Sequence, residues 1–212
     1  MLDSNETAVP VPMSMAEVLR RHATDLTTVP SEGLSLWLPN LTAPTKWLAA
    51  PVKLASSPAA RVLIRPADDG VDGWIGCDVI NLFRFGGTVP ADVIEFGAGS
   101  TLRALGVGHP LTYRVTMPAE LGVTATRSRS SVQLDARLWV QVTNYFVSSG
   151  SGSGLIEHTV LIQAKARERL RSDVAQLSKS IEASLATSIL GRAGVANARG
   201  SRALVPTPSF KP

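Results

Sequence analysis

Residues 146–163 read FVSSGSGSGLIEHTVLIQ. The serines and glycines at 149–154 fit either a flexible tether between two domains or the tip of a β-hairpin, so their reading decides whether the chain holds one fold or two. The residues on either side discriminate. Downstream of the glycines Ile156, Val160, Ile162 and Ala164 are apolar while Glu157, Thr159, Gln163 and Lys165 alternate with them, the period of a strand. Directly opposed residues of an antiparallel pair share a face. Matching apolar to apolar sets Phe146 against Ile156, Val142 against Val160 and Val140 against Ile162, with the loop centred on Ser151. The spacing predicts a hairpin, not a linker.

Upstream, SVQLDARLWVQVTNYF carries Val132, Leu134, Ala136, Leu138, Val140, Val142 and Phe146 on even positions and mostly polar residues on odd ones. Read as one strand over 131–147 it would run about 50 Å if straight, so a bend, a bulge or a projection beyond the core is expected. Farther on, Leu170, Val174, Leu177, Ile181 and Leu185 follow helical spacing, which predicts a C-terminal helix closed by Gly191 and roofing the even, apolar face. Arg137, Trp139, Gln141 and Tyr145 are left on the odd face, with Glu157 facing them in this register. Large aromatics among polar side chains are typical of binding surfaces, so these five are the candidate binding residues; the competing account is that another element covers them.

The remaining chain supplies the other elements. Ser14 and Glu17 stand in capping-box spacing, predicting a short helix over 15–25 within an N-terminal arm, 1–29. Leu34, Leu36 and Leu38 alternate with Ser35 and Trp37 and read as a strand stopped by Pro39; 61–65 and 74–85 read as two more. A helical pattern opens at Pro90 and closes near Gly106, and LTYRVTM is another strand. The expectation is an α+β domain over 30–189, an antiparallel sheet of about six or seven strands packed by a C-terminal helix and a mid-chain helix, followed by a disordered basic tail, 190–212.

The composition narrows the function classes. The 212 residues are 44% hydrophobic and 18% charged, with a formal net charge of +4. Arg192, Arg199, Arg202 and Lys211 lie in the tail, which leaves the body near neutral, so no nucleic-acid partner is expected. Cys77 is the single cysteine; it rules out an internal disulfide and a cysteine zinc cluster. No apolar run approaches the length of a membrane span and the first thirty residues hold no signal-type apolar core, which predicts a cytoplasmic protein, with a place in the cell envelope or export by a non-classical route as the alternative.

Catalytic motifs are not legible. FGAGSTLRALGVGH has the small residues of a phosphate loop, but the lysine that such a loop needs is missing and the glycines fall inside a helical pattern; a weakened or kinked helix is predicted. Trp74-Ile75-Gly76 matches the WxG tripeptide of small type VII secretion substrates, yet it opens a strand here. His22, His109 and His158 are far apart, and His158 is expected opposite Asn144 as a satisfied polar pair. No nucleophile elbow and no metal-ligand spacing occur, and Asp68 and Asp69 sit in a turn. Cys77, between Ile75 and Val79 on one face, reads as a small hydrophobe. No enzyme activity, cofactor or metal is expected.

Taken in order, LSLWLP at 34–39, Trp47 soon after, the mid-chain helix, the long antiparallel meander and the final helix with SIEASL at 180–185 resemble the PsbP-like α+β sandwich, and within it the actinobacterial LpqN/LpqT-type family. The resemblance covers roughly 30–186 and rests on element order, not on a catalytic motif. It implies a non-catalytic binding, adaptor or chaperone-like module engaging a protein, peptide or lipid through its sheet face. The alternative that it implies is an envelope-associated structural or transport accessory protein, with a small enzyme third. Members of the LpqN type typically carry a lipid-anchoring cysteine after a signal peptide, whereas Cys77 lies mid-strand.

Overall fold

The computed structural model describes residues 14–50, 59–68, 73–149 and 152–200, with side chains placed as far as residue 191. The polar arm before Ser14, Asp69, the expected loop centre Ser151 and the tail beyond Gly200 lie outside the described residues. Helix α1, Met15–Leu19, opens on the predicted capping box: the Glu17 amide donates to Ser14 Oγ at 3.3 Å and the Ser14 amide to Glu17 Oε2 at 2.6 Å. It stops well before Asp25 because Thr24–Thr28 extends as strand β1 and pairs with a later strand. A helical turn, α2, Leu34–Trp37, replaces the strand predicted there. Leu34 and Leu38 are four apart as well as two-periodic with Leu36, and the helical spacing prevails: the Leu38 amide donates to the Leu34 carbonyl at 2.7 Å and Leu38 is buried.

Next come β2, Leu48–Ala49, β3, Arg61–Pro66, and β4, Trp74–Gly86. The mid-chain helix is broken into α3, Ala91–Gly97, and α4, Ser100–Ala104. At the break the glycines allow close approach: a Cβ on Gly97 would lie 2.6 Å from Met15 Sδ, and one on Gly99 would lie 2.7 Å from Pro110 Cγ. Packing against α1 and the following loop, not phosphate binding, accounts for these small residues. Strands β5, Leu111–Val115, β6, Val123–Gln133, β7, Arg137–Ser149, and β8, Gly152–Gln163, lead to α5, Arg171–Gly200. Residues 131–147 are therefore two strands. The chain reverses through Leu134, Asp135 and Ala136, with Val132 opposite Leu138. A three-residue turn keeps even positions on one face, which is why the alternation ran through it without a visible break. The final helix passes Gly191 and continues to Gly200.

All strand pairs are antiparallel, in the order β2-β3-β4-β8-β7-β6-β5, with β1 also paired to β4. The β7/β8 hairpin is present but its register is one residue from the expected one. Phe146 faces Leu155, Gln141 faces Val160, and Trp139 faces Ile162. His158 accordingly lies opposite Thr143, not Asn144. A one-residue slip exchanges faces, and the consequence is general: α5 packs on the odd face of β7, over Trp139, Tyr145, Ile156, Val160 and Ile162. The even face belongs to α1, α3 and α4, where Leu102 meets Val140 and Val142, and Met15 and Leu19 cluster with Phe83, Phe146 and Leu155. The helix expected over the apolar face covers the mixed one. Both faces are thus buried, and each fully buried Leu or Ile of α5 contributes about 1.5–3 kcal/mol.

Candidate functional site

Helix α5 is held to the sheet unevenly. Along one flank Asp173 accepts from Trp47 Nε1 at 2.9 Å, Ser180 Oγ accepts from the Thr42 amide at 2.8 Å, and Ser184 Oγ donates to the Pro39 carbonyl at 2.5 Å. Positions 173, 180 and 184 share that flank by helical spacing; Leu170, Val174, Leu177, Ile181 and Leu185 face the sheet; and Arg171, Ala175, Ser178 and Glu182 fall on the flank opposite the brace. There a cleft of about 460 Å³ opens between the helix and the outer strands.

Its floor includes Trp139 and Gln141 of β7, its sheet wall Tyr113, Arg127 and Arg129, and its helix wall Arg167, Arg171 and Lys179 together with Glu168 and Glu182. The alternation of β6 puts Arg127 and Arg129 on one face. Arg127 Nε donates to Thr143 Oγ1 at 2.9 Å and its Nη2 lies 3.4 Å from Glu182 Oε1, which ties β6 to α5. Gln141 Nε2 reaches Ser178 Oγ at 3.5 Å. Two guanidinium groups are stacked: Arg129 lies 5.4 Å from the centre of the Tyr113 ring, and Arg167 lies 5.3 Å from that of Trp139. Such cation–π contacts hold a guanidinium in place without neutralising it. Among the described residues no carboxylate pairs with Arg129, Arg167, Arg171 or Lys179. Five cations against two acids leave the cleft strongly positive.

The candidate binding residues separate into four places. Trp139 and Gln141 line the cleft, 8% and 5% exposed. Tyr145 lies deeper, fully buried, and its hydroxyl is driven up in pKa, chiefly by burial and then by the Glu182 carboxylate. Arg137 is exposed at the start of β7, paired with Gln133 near the turn. Glu157, expected beside the aromatics, points to the opposite face. The register slip is the reason. Tyr113, Arg127, Arg129, Arg167, Arg171 and Lys179 escaped the sequence reading. Their signal was the Arg127/Arg129 alternation in TRSRSS and the four-residue spacing of Arg167 and Arg171 in AKARERLRS, two short basic runs far apart in sequence that only the β6–α5 contact joins.

Two buried polar groups lie away from the cleft. On the α5 face Asp78 and His158 are wholly inaccessible, His158 Nε2 lying 2.6 Å from Asp78 Oδ1 and Arg61 Nη2 2.8 Å from Oδ2. Burial alone would raise the Asp78 carboxyl; the paired imidazole and the guanidinium outweigh it and hold Asp78 below the usual carboxylate range. An ionised partner fixes the hydrogen on Nε2. Across the sheet, Glu157 accepts from Thr101 Oγ1 at 2.8 Å and from Asn81 Nδ2 at 3.4 Å without a cation, and burial raises its pKa. Cys77 is likewise raised, to about 11, by burial and then by Asp78, so its thiol is inert at neutral pH.

A second cavity, about 560 Å³, lies at the hairpin end, between Trp37, Gly154, Val147 and Ile189. Its charged residues, Asp25 and Arg84, balance each other. The smaller cleft, with its uncompensated charge, is the more distinctive site.

No protein-family model matches the sequence, and no curated protein sequence matches it. Among solved structures the chain is similar to LpqN, described as involved in cell envelope biogenesis of Mycobacterium tuberculosis, with a TM-score of 0.59 at 14% identity over 79% of this chain and 95% of that one. Weaker likenesses are to human STARD10, TM-score 0.25 at 9% identity over 80% and 86% of the two chains, and to norcoclaurine synthase from Thalictrum flavum, TM-score 0.20 at 12% identity over 81% and 79%. The likeness to LpqN is one of fold, and the antiparallel sheet with a mid-chain helical segment and a C-terminal helix is what the order of elements in the sequence implied.

Proposed function

We propose that this protein is a non-catalytic accessory module of the cell envelope, of LpqN type, that holds its ligand in the cleft between β6, β7 and α5. The single observation that carries the reading is the set of cations around Trp139, five against two acids, four of them paired with no carboxylate among the described residues. Keeping like charges together is unfavourable unless something of opposite sign visits, and a concave site with an aromatic floor is where a ligand gains most contact. The fold shared with a protein of envelope biogenesis supports the setting. The non-catalytic part is supported by the chemistry of the interior: the acid–imidazole pair Asp78 and His158, which in an enzyme would meet a substrate, is closed under α5 with no exposure. No helix among the described residues is long and apolar enough to cross a membrane.

A protein or peptide partner is a second reading, favoured by β5. This edge strand of five residues exposes Leu111 and Tyr113 beside the cleft, and an extended segment could add to it. Cell fractionation tests the main reading. The wild-type chain is expected in the envelope fraction, and Arg129→Glu combined with Arg171→Glu is expected to release it to the soluble one. Finding the wild-type chain wholly in the cytosol overturns the envelope assignment; equal partitioning of variant and wild type overturns the cleft as its site.

A further inference from the structure

We infer that the cleft recognises a phosphorylated head group carrying at least two negative charges, an inference that rests on the cleft being the binding site. The first step is charge. Arg127 is already engaged by Glu182 at 3.4 Å, while Arg129, Arg167, Arg171 and Lys179 are left with Glu168 as the only other acid in the lining. A single carboxylate would leave most of that charge uncompensated. A phosphate monoester carries about 1.5 to 2 negative charges at neutral pH with three acceptor oxygens, and a pyrophosphate carries more.

The second step is geometry. Guanidinium groups present several N–H donors in a plane and match phosphate oxygens in pairs. Arg129 and Arg167 are stacked on Tyr113 and Trp139, at 5.4 and 5.3 Å from the ring centres, so both forks are oriented before any ligand arrives and less side-chain freedom is lost on binding. They come from opposite walls. A group between them is gripped from the sheet side and the helix side at once, with Arg171 at the start of α5 and Lys179 about two turns along it to engage further oxygens. The third step is shape: at about 460 Å³, with Val174 and Ala175 beside Trp139, the cleft holds a head group together with part of the sugar or chain that it esterifies.

Two probes distinguish a soluble phosphorylated ligand from a lipid-borne one: pyrophosphate titrated into the full chain by calorimetry, and sedimentation with vesicles of phosphatidic acid, whose head group is a phosphomonoester, in phosphatidylcholine against phosphatidylcholine alone. At least one probe is expected to bind in low salt and to weaken as salt is added. Arg167→Gln with Arg171→Gln is expected to weaken it by about tenfold or more, while Arg20→Gln with Arg21→Gln, exposed cations away from the cleft, changes it less than about twofold. Binding of pyrophosphate assigns a soluble ligand; binding of the phosphatidic acid vesicles alone assigns a membrane-borne one; both outcomes support the phosphate chemistry. If neither probe binds, or if both variant pairs weaken binding equally, the inference is wrong. Its failure is separable from that of the proposed function: loss of envelope association in the cleft variant with no binding of either probe keeps the site and discards the phosphate, whereas probe binding by a chain found only in the cytosol does the reverse.

Discussion

Asp78 and Glu157 are both buried carboxylates, and their surroundings send them in opposite directions. Asp78 has His158 and Arg61 as partners, so its charged form is favoured and its pKa lies below the ordinary 3.8. A depressed folded-state pKa means that the stabilisation is present above the unfolded value and is lost as pH falls through the folded one. Asp78→Asn strands Arg61 and His158 beneath α5. It should cost about 3–5 kcal/mol in urea unfolding at pH 7, with the gap from wild type closing below pH 3.8. Glu157 has only the neutral donors Thr101 and Asn81 and is raised above the ordinary 4.5. Here the sign reverses: stability is fully present below 4.5 and is lost as pH rises through the folded-state pKa. Glu157→Gln keeps the shape without the charge. It should match wild type in acid and become the more stable protein on the neutral side, as measured by urea midpoints across pH; a Gln variant less stable than wild type at pH 7 would mean that the ionised carboxylate has a partner which the geometry does not reveal.

At the scale of elements, the β7/β8 hairpin shows what polarity can and cannot specify. That the strands pair was legible from the alternation across 146–163. Which residue faces which was not: Leu155 beside Ile156, and Val160, Leu161 and Ile162 in succession, are apolar on both faces because both are covered, and alternation fixes register only when one side meets water. The same ambiguity misplaced α5, since polar residues at odd positions of the sheet are met by polar residues of α5, Gln141 of β7 by Ser178 and Arg127 of β6 by Glu182. The capping box of α1, the break in the mid-chain helix and the hairpin itself were local and readable; the cleft joins β6 to α5, and no window of sequence contains it. Gly154 gives the hairpin a further constraint. A Cβ there would lie 2.2 Å from the Trp37 ring, so α2 packs on β8 only because that position has no side chain. Gly154→Ala should displace Trp37 and lower stability by about 1–3 kcal/mol, and Gly154→Ala with Trp37→Ala should cost little more than Trp37→Ala alone, the non-additivity expected of neighbours in contact.

On the scale of the whole molecule, one sheet is shared by two helical layers. Strands β4, β7 and β8 each place alternate side chains under α5 and under α1, α3 and α4, so neither layer can leave without exposing the backs of residues that hold the other. The domain should therefore unfold as one unit despite its two cores. The tryptophans allow this to be measured, because Trp47 belongs to the α5 layer while Trp74 packs with Leu102, Leu105 and Val140 on the far side. With Trp37 and Trp139 changed to Phe, and either Trp47 or Trp74 changed as well, each remaining ring reports on one layer. Fluorescence of the two chains and far-ultraviolet circular dichroism should give, within each chain, a coincident urea midpoint and slope. If the Trp47 signal changed at lower urea than the dichroism, α5 would be separable from the sheet, and the cleft would be a hinge that opens instead of a wall fixed by the core behind it.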